Sequence, residues 1–333
     1  MGMTAFEDFQ PGETRAYGDY RFTEAEIVEF ASVYDPQPFH LDDAAGRRSM
    51  LGGLSASGWH TCSALMRMMV DGWLAETTCL AGIGVEDNRW LAPVRPGDRL
   101  TARTETLEKI DLRSRPDAGI VKFATSLRNQ DGVEVLAQKT STLFARREKL
   151  AVAALPLWEK KAALEKKTAE NPPEPIADRF GALPDHFARA QVGAFAQLGE
   201  TLFTADFIRD YAEKYDPMPF HIDEAAGKAH FLGAMSAAGF QTASCWMGHF
   251  IALRREAAAG GETPSRASPG FSGLVWRKPV LLGDRIAFSS QVIAKRATSK
   301  PNLGLVRSRN LGVNQHGEIV IEFDASVFTP IEE

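Results

Sequence analysis

Cysteine is scarce in this chain, and the three present, Cys62, Cys79 and Cys245, stand alone. No two have the spacing of a metal knuckle or a redox pair. Their odd count and isolation suit reduced thiols that act as small apolar residues, which sets the expectation of a cytoplasmic protein. There is no basic excess either. Lys and Arg number 38 against 43 Asp and Glu, a net charge of −5, which argues against a nucleic-acid partner. Long apolar runs are also missing. The best candidate, 59–75, is interrupted by His60, Arg67 and Asp71, so no membrane span of about 18 uncharged residues is expected. The first residues, Met1 to Asp8, lack the basic start and apolar run of a secretory signal. The seven histidines form no metal-ligand cluster, so no metal site is expected, and no other cofactor is expected. What remains is the profile of a globular protein, 44% apolar and 24% charged over 333 residues. That is enough chain for two ordinary domains.

What the chain does have is one stretch carried twice. Residues 34–46 read Tyr-Asp-Pro-Gln-Pro-Phe-His-Leu-Asp-Asp-Ala-Ala-Gly and residues 215–227 read Tyr-Asp-Pro-Met-Pro-Phe-His-Ile-Asp-Glu-Ala-Ala-Gly, identical at ten of thirteen positions. The same offset of 181 residues relates Phe22-Thr23 to Phe203-Thr204, Ser55-Ala56 to Ser236-Ala237, and Gly58 to Gly239. It then slips to 186, where Trp90, Pro93 and Gly97-Asp98-Arg99 answer Trp276, Pro279 and Gly283-Asp284-Arg285. The extra residues fit the Ala/Gly/Pro-rich stretch near 257–270. A period this long means two domain-sized copies, not a solenoid of short repeats.

Within each copy the order of elements is the same. Thr23 or Thr204 is a good N-cap for a helix of about ten residues, which must end at the Asp-Pro step. A stiff loop carries the Asp and the His, and Asp42 or Asp223 caps a short helix. A long helix follows, roughly 57–75 and 238–254. It is apolar nearly all round, so it is expected to be buried. Alternating residues such as Val121, Phe123, Thr125 and Leu127, joined by Asn-Gln-x-Gly turns, predict antiparallel strands with one covered face. Between the copies, 157–167 reads as a charged surface helix, and Pro172-Pro173-Glu174-Pro175 as a stiff linker.

An acid and an imidazole separated by two prolines on a stiff loop can exchange protons with a water near neutral pH. Asp35 and His40, with Asp216 and His221, are therefore the candidate catalytic groups. The bland reading stands beside this one. An Asp-Pro step is often only a turn, and a lone histidine is more often packed than reactive. Arg67 and Arg95 are candidates for phosphate contact, with solvated surface as the alternative. Asp87, Asn88 and Arg89 either line a cleft or face water. Asp98 and Asp284 read as turn residues, and Trp90 and Trp276 as core.

Asp-Pro-Gln-Pro-Phe-His, followed by Ala-Ser-Gly-Trp-His-Thr at 56–61 and Arg-Trp-Leu-Ala-Pro-Val-Arg-Pro-Gly-Asp at 89–98, resembles the MaoC-like dehydratase family. The second copy resembles it too. The resemblance implies an α+β tandem (double) hot-dog, each half a curved antiparallel sheet wrapped around a long buried helix. The domains would be 1–148 and 191–333, joined by a linker at 149–190. It further implies an intrachain pseudo-dimer, with a further homodimer left open. The activity implied is R-specific hydration of a trans-2-enoyl-CoA to a 3-hydroxyacyl-CoA, so that an acyl-CoA is the expected partner. Asp35, His40, Asp216 and His221 match the family motif. Its Asn is replaced by Gln37 in one half, which keeps an amide, and by Met218 in the other, which does not. The enolate oxygen needs preorganised donors. The start of the buried helix supplies free N–H groups at Gly58 and Gly239, where glycine would let a thioester approach. Two other readings remain. One is an acyl-CoA thioesterase, although its acid usually lies on or beside the long helix, where this chain offers only Asp71. The other is a non-catalytic acyl-thioester-binding module.

Overall fold

The computed structural model describes residues 2–149, 172–258 and 267–331. The helix expected at 157–167 and most of the stretch near 257–270 lie outside them.

Each half opens with an edge strand, β1 (Thr14–Arg21) or β6 (Phe195–Leu202), and then a capped helix, α1 (Glu24–Tyr34) or α6 (Ala205–Tyr215). The caps are those expected. Thr23 accepts from the Glu26 N–H at 3.2 Å and Thr204 from the Phe207 N–H at 3.3 Å. Both helices stop where a proline follows, with Asp35 and Asp216 as their C-caps. The next stretch departs from the expected loop. Residues Pro38–Leu41 and Pro219–Ile222 form short helices, α2 and α7. Proline at the first helical position has the right φ and loses no needed N–H, so it starts a turn of helix here instead of stiffening a loop. Asp42 and Asp223 then cap α3 (Asp43–Arg48) and α8 (Glu224–Ala229).

The long helices are α4 (Gly58–Gly72) and α9 (Gly239–Ala257). α4 ends earlier than expected because Trp73 leaves the helical path and turns into the core. Its ring meets Phe9 at 6.3 Å and Phe123 at 5.5 Å. α9 runs further, and Arg254 and Arg255 in its last turn suit the helix dipole. His60, in the first turn of α4, is fully buried, with Nε2 3.3 Å from the Glu26 carboxylate and 3.4 Å from the Tyr215 hydroxyl.

Strands β2 (Cys79–Trp90), β3 (Arg99–Asp111), β4 (Ala118–Arg128) and β5 (Glu134–Ala145) complete the first half. β7 (Gly270–Trp276), β8 (Arg285–Ala297), β9 (Leu303–Val313) and β10 (Ile319–Pro330) complete the second. All ten join one antiparallel sheet in the order β1-β3-β4-β5-β2-β7-β10-β9-β8-β6, so the second half mirrors the first across a β2–β7 seam. The seam pairs Gly84 with Val275 at one end and Arg89 with Gly270 at the other. Gly270 has φ +142°, and a Cβ there would lie 1.9 Å from the Asn88 carbonyl oxygen, so only glycine lets the strands meet. On the covered face the helices also cross between halves. Trp59 of α4 stacks on Phe271 of β7 at 4.7 Å, and Ser63 bonds the Tyr211 hydroxyl of α6 at 2.6 Å. One apolar core therefore runs through both halves.

The described end of the joining segment lies along the second half. Ile176 bridges to Ala194, Gln291 donates to the Pro173 carbonyl at 2.8 Å, and a short helix α5 spans Arg179–Ala182. Among the described residues, no helix is long and apolar enough to cross a membrane.

Candidate active site

Asp35 is placed by the end of α1. Its N–H still bonds the Ala31 carbonyl at 2.9 Å, but Pro36 turns the chain, and the carboxyl points inward, 2% exposed. α2 then delivers His40 to the same spot. His40 Nδ1 lies 2.6 Å from the Ser55 carbonyl oxygen, which can only accept, so Nδ1 carries the hydrogen. That leaves Nε2 with a lone pair, 3.4 Å from Asp35 Oδ2. Burial is the main cause that pushes the His40 imidazole below its ordinary value, against the opposing pull of the Asp35 carboxylate and the Ser55 carbonyl. The imidazole is therefore neutral at neutral pH.

Both Asp35 oxygens are held. Gln37 Nε2 donates to Oδ1 at 2.9 Å, and Ser57 Oγ donates to Oδ2 at 2.6 Å. Ser57 is also the N-cap of α4, accepting from the Trp59 N–H at 3.2 Å. One hydroxyl thus ties the carboxylate to the start of the buried helix. Sequence reasoning did not single out Ser57. A signal for it existed, because the matched pairs Ser55-Ala56/Ser236-Ala237 and Gly58/Gly239 enclose one position that differs, Ser57 against Ala238.

The second half reproduces the frame but not the donors. His221 Nδ1 lies 2.6 Å from the Ser236 carbonyl, and Nε2 lies 3.6 Å from Asp216 Oδ2. Met218 and Ala238 replace Gln37 and Ser57. Asp216 Oδ1 is buried with no hydrogen-bond partner. Burial raises the Asp216 carboxyl to about 7 and lowers the His221 imidazole to about 4, with nearby His230 adding to the latter shift.

Gly58 and Gly239 do begin the long helices, but the need for glycine is different from that expected. A Cβ on Gly58 would lie 2.3 Å from the Trp90 ring, and one on Gly239 would lie 2.5 Å from the Trp276 ring. Glycine at both positions admits the tryptophan ring. The other candidates separate clearly. Arg95 is spent on the Gly53 and Leu54 carbonyls at 2.7 and 3.1 Å, and Arg67 on Asp71 and the Glu213 carbonyl at 2.6 and 2.9 Å. Asp98 and Asp284 accept from the Arg95 and Leu281 N–H groups, as turn residues do. Arg89 is exposed and pairs with Asp87, whereas Asn88 is buried opposite Gln138 on β5. In the second half Leu274 and Phe323 take the places of that amide pair. Burial pushes the Cys62 and Cys245 thiols up to about 12, which leaves them unreactive. Among the described residues, no group of three or more His, Cys, Asp and Glu is arranged to hold a metal ion.

Two helix-and-sheet halves sharing one continuous sheet, each with a buried Asp–His pair at the head of its long helix, define a double hot-dog protein. A conserved hypothetical protein from Mycobacterium tuberculosis with a double hot-dog fold superposes with a TM-score of 0.70 at 16% identity, covering 98% of both chains. The family model for the MaoC like domain matches residues 8–126. A MaoC-like dehydratase from Rhodospirillum rubrum is 39% identical over 43% of this chain and 97% of its own, with a TM-score of 0.40. The chain belongs to the MaoC-like dehydratase family. Mesaconyl-CoA hydratase from Cereibacter sphaeroides is 25% identical over 238 residues, 72% of this chain and 68% of that one.

Proposed function

We propose that the protein reversibly hydrates a trans-2-enoyl-CoA thioester to the 3R-hydroxyacyl-CoA at Asp35 and His40. The observation that carries this reading is the facing of two buried acceptors, His40 Nε2 and Asp35 Oδ2, 3.4 Å apart. Two acceptors that close cannot bond each other. They call for a donor, and a water satisfies both by giving one hydrogen to each. Its oxygen lone pair is then free to attack C3 of the enoyl group. His40 takes one water proton as the C3–O bond forms, and the same proton returns to C2, so H and OH add across the double bond with no net proton change. Asp35 holds the other hydrogen and offsets the charge on the imidazolium. Gln37 and Ser57 fix the carboxylate, so the orientation is set before substrate arrives.

As C3 is attacked, negative charge moves to the thioester oxygen. The first N–H groups of α4, at Gly58, have no partner within the helix and carry the positive end of its dipole. They are the donors for that oxygen. Similarity to a mesaconyl-CoA hydratase supports a CoA-linked unsaturated acyl group as the substrate. Incubation with crotonyl-CoA tests the reading. Loss of enoyl absorbance without release of free thiol is expected, and His40→Ala should abolish it. Free thiol with no hydration would replace this reading with the thioesterase. Neither change would leave only a binding module.

A further inference from the structure

A row of polar side chains crosses the core of the first half. Thr104 on β3, Thr125 on β4, Gln138 on β5 and Asn88 on β2 stand directly opposite one another, strand after strand. All four are buried. Residues paired in one register share a face of the sheet, and Asn88 shows which face it is. Its Oδ1 accepts from the thiol of Cys62 on α4 at 3.6 Å, so the row lies under the long helix. The edge end of the row is closed: the Tyr17 hydroxyl bonds Thr104 Oγ1 at 2.7 Å, and Thr104 bonds Thr125 at 2.8 Å. The end nearest the seam is open. Asn88 Nδ2 and Gln138 Oε1 are a buried donor and a buried acceptor on facing residues, and neither has a partner. In the second half the row starts in the same way, with Ser290 bonding Asn310 at 2.8 Å, and then turns apolar at Phe323 and Leu274.

We infer that the acyl chain taken by the first site carries a hydroxyl at its far end, received by Asn88 and Gln138. This rests on the hydratase reading of that site. The two amides lie within reach of it. The proposed reaction puts the thioester oxygen at Gly58, and Cys62 follows one turn later, about 6 Å along the same helix. A few carbon–carbon bonds cover that span. Trp90, two residues from Asn88 on the same face of β2, packs its ring against Gly58 and joins the two places. The polarity of the pair sets the chemistry. A buried donor and a buried acceptor left unbonded are costly, and an incoming group removes that cost only if it accepts from one and donates to the other. A methyl does neither. A carboxylate only accepts, and it would bring a charge to a place where, among the described residues, no charged side chain bonds either amide. A hydroxyl does both and is neutral.

The test uses the full chain and matched thioesters. 5-Hydroxy-trans-2-pentenoyl-CoA and trans-2-hexenoyl-CoA have chains of the same length that end in a hydroxyl and a methyl. The hydroxylated thioester should be hydrated with a kcat/KM at least about 100-fold higher, because a site built to bond a hydroxyl rejects the analogue that lacks it. Asn88→Leu with Gln138→Met keeps the shapes and removes both amides, and should bring that ratio to about one or below. Gln138→Met alone, the smaller change, guards against misfolding of the double variant and should lower the ratio at least about tenfold. The saturated pair, 5-hydroxypentanoyl-CoA and hexanoyl-CoA, puts the same question to binding alone by calorimetry. Equal kcat/KM for the two enoyl thioesters overturns the inference, and so does a folded double variant that keeps the wild-type ratio. Faster hydration of trans-glutaconyl-CoA, whose chain ends in a carboxylate, overturns it as well. If no enoyl thioester is hydrated but the hydroxylated saturated chain binds at least about tenfold tighter than hexanoyl-CoA, the hydratase reading falls and the hydroxyl site stands. Equal binding in that case removes both.

Discussion

Ser57 Oγ lies 2.6 Å from Asp35 Oδ2, across 22 residues of chain, and the same oxygen caps the buried helix α4. One side chain therefore serves the carboxylate and the helix at once. Ser57→Ala should lower kcat by roughly 10- to 100-fold, because a hydrogen bond to a charged group is worth about 1.5–3 kcal/mol. KM should change little, since the hydroxyl touches the acid and not the thioester. The variant should also lose about 1 kcal/mol of stability through the missing cap. Steady-state kinetics with a denaturant melt separate the two effects. Unchanged kcat with lowered stability would make Ser57 a cap only.

That relationship also shows where sequence reading stops. Asp35, Gln37 and His40 lie within six residues, and their repetition in the second half makes them stand out. Helix starts at Thr23, Asp42 and Thr204 were legible because caps are local chemistry. Ser57 was marked only as a mismatch with Ala238, and its role stayed hidden because it comes from a contact that only the fold creates. The β2–β7 seam was hidden for the same reason: Gly84 and Gly270 look like ordinary loop or strand glycines until the strands are side by side. The turn of helix at Pro38 was misjudged because proline both stiffens loops and opens helices, and the local sequence does not choose between them.

The pH dependence of turnover follows from His40. Burial lowers its imidazole below the ordinary histidine value, and hydration needs the neutral form. The acid limb of kcat/KM should therefore fall at a pH below about 6.5. Activity should be flat from there through neutrality. A limb above that value would mean that another group controls the rate.

Asp216 makes a separate prediction about stability. Its folded-state value of about 7 lies above the ordinary 3.8, so the folded chain binds the extra proton between those limits and loses stability as pH rises through them. The cost at pH 8 is on the order of 4 kcal/mol. His221 acts in the opposite sense. Lowered from 6.5 to about 4, it costs stability as pH falls through that window. Their pH slopes nearly cancel between about 4 and 6.5, so stability changes little across that window, and at pH 8, where His221 is neutral in both states, the Asp216 penalty alone remains. Asp216→Asn keeps the shape and removes the charge. It should raise Tm at pH 8 and change it little at pH 4. Equal melting shifts at both values would show that ionisation of Asp216 is not the source.

The shared core predicts how the chain unfolds. Trp59 belongs to the first half but stacks on Phe271 at 4.7 Å and meets Phe323 at 5.6 Å, both in the second. Trp59→Ala should cost about 3–5 kcal/mol, the range for removing a large buried aromatic side chain. The loss should appear in a single calorimetric transition, because neither half keeps a complete core without the other. Two separated transitions, with only one moved, would mean that the halves fold independently.

Gly58 tests why glycine opens the long helix. If it were there to admit a thioester, Gly58→Ala would raise KM and leave stability alone. The Trp90 ring already fills the space where the new methyl would go, 2.3 Å from the Cβ position. The ring must move, and overpacking of this kind costs about 1–3 kcal/mol. The matching loss in the second half would come from Gly239→Ala against Trp276. Trp90→Leu should relieve the clash, so the double variant Gly58→Ala/Trp90→Leu should be more stable than the sum of its single effects. A double-mutant cycle in urea measures that coupling. Strict additivity of the two changes would show that glycine at this position answers to something other than the tryptophan beside it.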